Sequence, residues 1–279
     1  MLVQRVLGAV LFGVVMLGTL VWGPLPFTCA IALASVIGSI ELFGMFETKG
    51  AATPTAAILG ITASAAYVFL AHYKGPGCYG YVTVGLLFAS FMWYLLILKH
   101  VKPTKAVALT VLAPLLTGLC LSHLVLLRDL VDGFNWGWLL LIFFIILIWV
   151  YDILAWAVGR KIGKHKMAPS ISPNKSWEGT IAGTVGALAA SVLFRWLLQL
   201  ALGSSMWEWF SIGVALAIGA IVCVLGPLGD LSESLMKRDY GVKDMGKMIP
   251  GHGGIMDRFD STLFTAPAVF YFLFYFVIK

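Results

Sequence analysis

Apolar residues fill most of the chain in long runs, and short polar connections separate these runs. A helix needs about 20 consecutive apolar residues to cross a bilayer. Because residues 27–46 are apolar again after the first run, that first run is predicted to be a helix and not a cleaved signal peptide. The pattern predicts nine membrane-spanning helices, at about residues 6–22, 27–46, 54–71, 81–98, 106–127, 136–158, 178–202, 206–228 and 262–278.

The composition agrees with this pattern. Of the residues, 60% are hydrophobic and 11% are charged, whereas soluble proteins have about 45–50% and about 25%. The expected fold class is an all-α, polytopic integral membrane protein. We divide it into residues 1–135, with about five helices, and residues 136–279, a catalytic region whose polar loops 159–177 and 229–261 form one site. The cysteines show no spacing typical of a disulfide framework, a zinc site or an iron–sulfur site.

The distribution of positive charge predicts the topology. A net charge of +6 would suggest a nucleic-acid partner in a soluble chain, but here the basic residues gather in short loops, where they orient membrane helices. We therefore expect no nucleic-acid partner. Counted loop by loop, 15 Lys and Arg lie on one side of the membrane and 3 on the other. This split places the N-terminus and both polar loops in the cytoplasm and the C-terminus outside.

The segment 229–261 is the longest polar run, and its acids indicate a cation site. Asp257 and Asp260 are three residues apart where the last apolar helix begins, so a first helical turn would carry both on one face, at the positive end of the helix dipole. Asp230, at the end of the preceding apolar run, is a third acid. Mg²⁺ is typically held by one or two carboxylates together with substrate phosphates. The sequence predicts Mg²⁺ at these three acids and leaves a second cation open.

Basic and hydroxyl side chains near these acids are candidates for binding phosphate. In and around the acidic segment they are Ser232, Lys237, Arg238, Lys243, Lys247 and Arg258, and in the loop 159–177 they are Arg160, Lys164, Lys166, Ser172, Lys175 and Ser176. His252, between glycines beside the acids, is assigned to phosphate contact or loop geometry. Together with the acids, these residues indicate metal-assisted phosphoryl or nucleotidyl transfer. A solvated mixed-charge loop and ordinary positive-inside loading are the alternatives that composition leaves open.

Two stretches resemble a known family. The runs SLMKR at 234–238, KDMG at 243–246 and PGHGGIMDRFD at 250–260 closely resemble the signature of phosphatidate cytidylyltransferases, also called CDP-diacylglycerol synthases, without a departure over 27 positions. Residues 159–179 resemble the same family. The resemblance implies that CTP and phosphatidate are the substrates, that CDP-diacylglycerol and pyrophosphate are the products, and that the two loops enclose the nucleotide and metal. We expect the protein to lie in the plasma membrane of a prokaryote, and the charge split places the active site on the cytoplasmic side.

The resemblance leads to specific roles. We expect Asp230 and Asp257 to be direct Mg²⁺ ligands, Asp260 to be a third ligand or a supporting acid, and Lys237 and Arg258 to be catalytic cations. The reaction is expected to be a direct in-line displacement without a covalent enzyme intermediate.

Two other functions fit the sequence less well. A CDP-alcohol phosphotransferase would need a longer pattern of spaced acids, which is absent. A transporter could use the intramembrane residues Asp152, Glu41 and Arg195 as an ion path, but coupling sites usually lie near the midplane and the charge here is concentrated in loops. A stripe of small residues four apart, from Gly179 to Ser191, favours helix packing within the fold over a homodimer, which stays open.

Overall fold

The computed structural model describes residues 2–47, 56–97, 103–130, 137–203, 209–246 and 253–278. Within these ranges the chain is helical apart from one short antiparallel hairpin. The helices are α1 (Leu2–Trp22), α2 (Pro24–Glu47), α3 (Ala57–Lys74), α4 (Tyr79–Leu96), α5 (Pro103–Pro114), α6 (Leu121–Asp129), α7 (Gly137–Ile162), α8 (Trp177–Leu202), α9 (Ile212–Asp239) and α10 (Thr262–Phe276). The hairpin strands are β1 (Lys166–Ala168) and β2 (Ser172–Ser176).

Three shorter helical turns connect these elements. A 3₁₀ turn at Gly75–Cys78 joins α3 to α4, a π-helical turn at Leu115–Cys120 joins α5 to α6, and a 3₁₀ turn at Met256–Arg258 precedes α10.

The membrane class is confirmed, but the number of crossings is not. In the described part of the chain, six helical segments are long and apolar enough to span a bilayer, and Phe12–Trp22 and Thr262–Phe276 are apolar but shorter. One of the six, Ala57–Leu96, contains both α3 and α4. Each predicted span overlaps a helix, because long apolar runs must satisfy their backbone groups internally in lipid. The protein is an all-α polytopic membrane protein, and nine crossings stay a prediction.

Local capping fixes where α8 and α9 begin. The Ser176 hydroxyl accepts a hydrogen bond from the Gly179 amide at 3.3 Å, and the Ser211 hydroxyl accepts one from the Val214 amide at 3.2 Å. Such side-chain acceptors satisfy amides that have no partner within the helix. The 28 residues of α9 make it about 42 Å long, longer than a hydrocarbon core of about 30 Å. Its polar C-terminal turns, from Asp230 onward, are therefore available for the membrane surface.

Small residues let α7 and α8 pack closely. A Cβ atom at Gly179 would lie 2.4 Å from the Ala155 carbonyl oxygen, and one at Gly183 would lie 2.8 Å from the Tyr151 carbonyl oxygen. The other two members of the stripe are fully buried. The small-residue stripe therefore serves packing within the fold, as the sequence indicated.

The core extends through both predicted regions. One hydrophobic cluster includes Phe43 of α2, Leu127 of α6, Phe144 of α7 and Leu263 of α10. The division at residue 135 stays a prediction about function, since the helices on either side share this cluster. The contact between the two halves matters for the site, because α2 lies against the segment that leads into α10.

Candidate functional site

The end of α9 lies directly against the residues that precede α10. A Cβ atom at Gly229 would be 2.4 Å from the Asp260 carbonyl oxygen, so a larger residue would push the two segments apart. This close approach makes neighbours of the Asp230 and Asp260 carboxylates. Burial, followed by the charge of Asp230, raises the pKa of Asp260, while the Ser261 amide donates a 2.6 Å hydrogen bond to it. A cation between the two carboxylates would offset their repulsion.

The hairpin brings a lysine to the same place. Lys175, on β2, has its Nζ atom 2.6 Å from Asp230 Oδ2 and donates to the Pro227 carbonyl oxygen at 3.4 Å. Arg238, in the last turn of α9, donates from Nε to the Ile171 carbonyl oxygen at 3.2 Å. The two polar segments that the sequence placed on one side of the membrane therefore contact each other.

Asp257 lies in a different environment from the other two acids. Its Oδ1 accepts a 2.8 Å bond from Lys237 Nζ, and its Oδ2 accepts bonds from the amides of Met245 at 3.1 Å and Gly254 at 2.7 Å. Burial raises the pKa of Asp257, but the bonds from Lys237 and Gly254 lower it, and its net pKa is below the usual value. The ionised carboxylate ties the two ends of the glycine-rich segment to α9.

A glycine allows the chain to wrap around this carboxylate. Gly253 has a φ of 80°, in the left-handed region, and a Cβ atom there would lie 2.7 Å from Asp257 Oδ2. A side chain at this position would be strained both by the backbone conformation and by the contact.

Two cavities meet at the acids. The larger, about 650 Å³, has Asp152, Asp257, Arg258 and Asp260 at one end, and its wall is apolar. The smaller, about 290 Å³, is lined by polar residues of the hairpin and of α9 and also by aromatic side chains of α7. Both are bordered by Asp152, Asp260 and Ser261. Asp152, which the sequence marks as an intramembrane acid, is one of these shared residues.

The acids are suited to a cation that completes its coordination with other ligands. Among the described residues, no three His, Cys, Asp or Glu side chains lie close enough together to hold a metal ion by themselves. Asp230 and Asp260 supply two carboxylates at the cavity wall, which is the number that proteins commonly use for Mg²⁺ when phosphate oxygens and water supply the rest.

Comparison with known proteins agrees with the geometry. A model of the cytidylyltransferase family matches residues 3–276. The chain belongs to this family. It is 33% identical to the phosphatidate cytidylyltransferase of Bacillus subtilis, with 97% of each chain covered. It is also 33% identical to that of a Synechocystis species, over 97% of this chain and 96% of the relative, and 31% identical to that of Haemophilus influenzae, over 99% of each. The family match confirms the resemblance and identifies the chain as an enzyme of the nucleotidyltransferase class.

Most of the other residues predicted for the cytidylyltransferase site lie in the polar loops 159–177 and 229–261 but do not line either cavity. Among the described residues, this group is Arg160, Lys164, Lys166, Ser172, Ser232, Lys237, Arg238 and Lys243. Within it, Ser232 donates to the carbonyl oxygen of Leu228 in its own helix at 2.7 Å, and Arg160 lies over the Trp156 ring at 5.4 Å. Ser176 and Lys175 line the smaller cavity and Arg258 lines the larger. His252 and Lys247 lie outside the described residues.

Two acids that matter to this site were not assigned to it from the sequence. Glu233 is fully buried, with Oε1 2.9 Å from Lys237 Nζ, and its spacing of four residues from that lysine is the signal that could have found it. Glu41 of α2 accepts hydrogen bonds from the signature segment. An acid in an apolar helix marks a functional position, but nothing near residue 41 indicates its partner.

The ion path considered for a transporter is not assembled. Asp152 lines the cavities, Glu41 accepts hydrogen bonds from backbone amides, and Arg195 donates to the carbonyl oxygen of Phe210, which precedes α9. The three groups serve separate contacts.

Proposed function

We propose that this chain transfers the cytidylyl group of CTP to phosphatidate, giving CDP-diacylglycerol and pyrophosphate. The names of its relatives supply the two substrates. The observation that carries the proposal is the pair of cavities that share Asp152, Asp260 and Ser261 as a common wall. Two substrates held in these adjoining cavities would have their phosphates next to each other.

The larger cavity fits a lipid phosphate. The polar end with Arg258 suits the phosphate, since guanidinium groups match phosphate geometry. The remaining wall comes from α1 and α7 and includes Leu17, Ile145, Ile148 and Trp149. If acyl chains occupied this part of the cavity, their apolar surface and that of the protein would both be shielded from water.

The smaller cavity fits the nucleotide phosphates. Lys175 reaches into it beside Asn174 and Ser176, so it offers an ammonium, an amide and a hydroxyl to phosphate oxygens. In the structure the Lys175 ammonium pairs with Asp230. On CTP binding it would exchange part of this contact for a phosphate, while Asp230 turns to the cation.

We assign the Mg²⁺ ligands to Asp230 and Asp260. Asp257 was expected to be a direct ligand, but its two oxygens already accept three hydrogen bonds. We therefore propose that Asp257, which also lines the larger cavity, orders the loop, and that Asp230 and Asp260 hold the cation. Bound Mg²⁺ would screen the charges of the phosphates, which repel by about 4 kcal/mol per unit pair at about 4 Å and an effective dielectric constant of about 20.

The reaction proposed is a direct displacement. An oxygen of the phosphatidate phosphate attacks the α-phosphorus of CTP, a new P–O bond forms, and the bond to the bridging oxygen of the β-phosphate breaks, so that pyrophosphate leaves with the electron pair. A general base is not required, since the second pKa of a phosphomonoester is about 6. Lys175 and Arg258 would stabilise the charge on the phosphates in the transition state.

The site is proposed to face the cytoplasm at the plasma membrane of a prokaryote. The charge split of 15 to 3 supports this orientation.

The test is consumption of CTP by purified protein in detergent with Mg²⁺, in the presence and absence of phosphatidate. We expect consumption only with phosphatidate, and its loss in Asp230→Asn. The control is Asp239→Asn, an exposed acid further along α9, which should retain activity. Near-normal turnover by Asp230→Asn at saturating Mg²⁺ would remove Asp230 from the site, and no phosphatidate-dependent turnover in the unsubstituted protein would overturn the proposed function.

A further inference from the structure

An acid from the N-terminal half of the chain holds the segment that leads to Asp260. Glu41 lies in α2 and is 9% exposed. Its Oε1 accepts a hydrogen bond from the Ile255 amide at 3.1 Å, and its Oε2 accepts one from the Met256 amide at 3.2 Å. These amides stand at the start of the 3₁₀ turn Met256–Arg258, where the donors have no partner within the turn. One side chain, 214 positions away in sequence, therefore caps this turn with both oxygens.

Two glycines of the family signature make room for this carboxylate. A Cβ atom at Gly246 would lie 2.1 Å from Glu41 Oε1, and one at Gly254 would lie 2.4 Å from Glu41 Oε2. Gly246 and Gly254 lie on either side of residues 247–252. Glu41 therefore contacts both described ends of the glycine-rich segment, just as Asp257 does from the α9 side.

A second contact from α2 fixes the same turn. The Met256 side chain is fully buried, and a Cβ atom at Gly38 would lie 2.8 Å from its sulfur. Gly38 and Glu41 are three residues apart, so they share one face of α2. That face receives the Met256 side chain and the two amides together. We call Gly38 and Glu41 the α2 seat.

We propose that Glu41 is a positioning residue for cytidylyl transfer, which sets where the 256–258 turn begins and therefore where the Asp260 carboxylate lies against Asp230. The inference rests on the proposed function. Asp260 follows the turn directly, and its backbone is already in contact with Gly229 of α9. Without the Glu41 carboxylate, two buried amides would lose their acceptor, a loss that proteins avoid by moving the backbone or admitting water. Either change would displace the acid pair.

The direct test is hydrogen exchange, measured by mass spectrometry on peptides that cover residues 253–261. Glu41→Gln keeps the size of the side chain but presents an NH₂ group to one of the two amides. We expect exchange at Ile255 and Met256 to accelerate about tenfold or more. Glu47→Gln, the same substitution at an exposed position of the same helix, should leave it unchanged. Unchanged exchange in Glu41→Gln would overturn the proposal.

Kinetics test the consequence for the reaction. Glu41→Gln is expected to lower kcat by about ten- to a hundredfold and to change KM for CTP by less than about threefold, because it displaces acids that act on the transition state. Glu47→Gln should match the unsubstituted protein in both parameters. A rise in KM for CTP with unchanged kcat would contradict a positioning role for Glu41. Inactivity of the unsubstituted protein would count against the proposed function, whereas the exchange experiment does not depend on activity.

A pair of substitutions tests the contact itself. Gly254→Ala should lower the unfolding temperature of the unsubstituted protein but have little effect in the Glu41→Ala background, where its new methyl group meets no carboxylate. Gly44→Ala, which has open space around its Cβ position, is the control and should behave alike in both backgrounds. Equal losses from Gly254→Ala in the two backgrounds would show that Glu41 does not occupy this space.

Discussion

At the scale of single residues, the lysines of the site are paired with acids. Lys175 pairs with Asp230, and Lys237 pairs with both Glu233 and Asp257. Of these two lysines, only Lys175 lines one of the two cavities that meet at the acids. We therefore propose that Lys175 exchanges a carboxylate for a phosphate and that Lys237 holds Asp257 in place.

A substitution in the hairpin tests this role. Lys175→Gln should reduce kcat/KM for CTP by about ten- to a hundredfold, or about 1.4 to 2.8 kcal/mol of transition-state binding. Steady-state kinetics with varied CTP would measure it. Lys161→Gln is the control, because Lys161 is exposed in the last turn of α7 and should have a smaller effect. Equal, mild effects of the two substitutions would show that the number of charges matters and their position does not.

The residues of the candidate site were easier to predict from the sequence than the groups that they contact. Asp230, Asp260 and Lys175 stand out as charges in an apolar chain, and the structure brings all three together. The different environments of Asp257 and Asp260 could not be predicted. A spacing of three residues does not indicate which of the two carboxylates accepts hydrogen bonds from the Met245 and Gly254 amides. The partner of Glu41 could not be predicted either, since its contact is made across the whole length of the chain.

At the scale of elements, the site depends on how closely α9 approaches the segment before α10. Gly229 precedes Asp230, and the Asp260 backbone occupies the space that a side chain at 229 would need. The helices themselves follow from the length of their apolar runs. The hairpin at 166–176 was not predicted, because its strands are short, contain lysine, proline and asparagine, and lack the alternation that marks a strand.

Gly229→Ala should therefore separate the two acids. The added methyl group would overpack the contact, which typically costs about 1–3 kcal/mol, and should reduce turnover strongly. Gly226→Ala, one turn earlier on the same helix, is the matched control, since its Cβ atom would have no neighbour nearer than 3.9 Å. Turnover and unfolding temperature would be measured for both. Full activity in Gly229→Ala would contradict the importance of this close approach.

At the scale of the whole molecule, the two halves of the chain build one site. The α2 seat in the first half supports the turn in the second, and α1 and α7 form the apolar wall of the larger cavity. The first half therefore contributes to the candidate site. Its apolar sequence could not indicate this contribution. The orientation in the membrane remains a prediction from the charge split.

Cysteine labelling tests that orientation. In a background without the native cysteines, a cysteine at Ser170 or Tyr240 should react with a membrane-impermeant reagent from the cytoplasmic side. One at Gly77, in the turn between α3 and α4, should react from the outside. Labelling of Ser170 and Tyr240 from opposite faces would contradict a single composite site.

The proposed reaction moves the cytidylyl group itself from CTP to a lipid phosphate. The most direct measurement follows radioactive phosphorus from CTP labelled at either the α- or the γ-position, with phosphatidate, Mg²⁺ and purified protein. We expect the α-label to enter the lipid product and the γ-label to be recovered in pyrophosphate. Appearance of γ-label in the lipid, or of α-label only in water-soluble products, would contradict it.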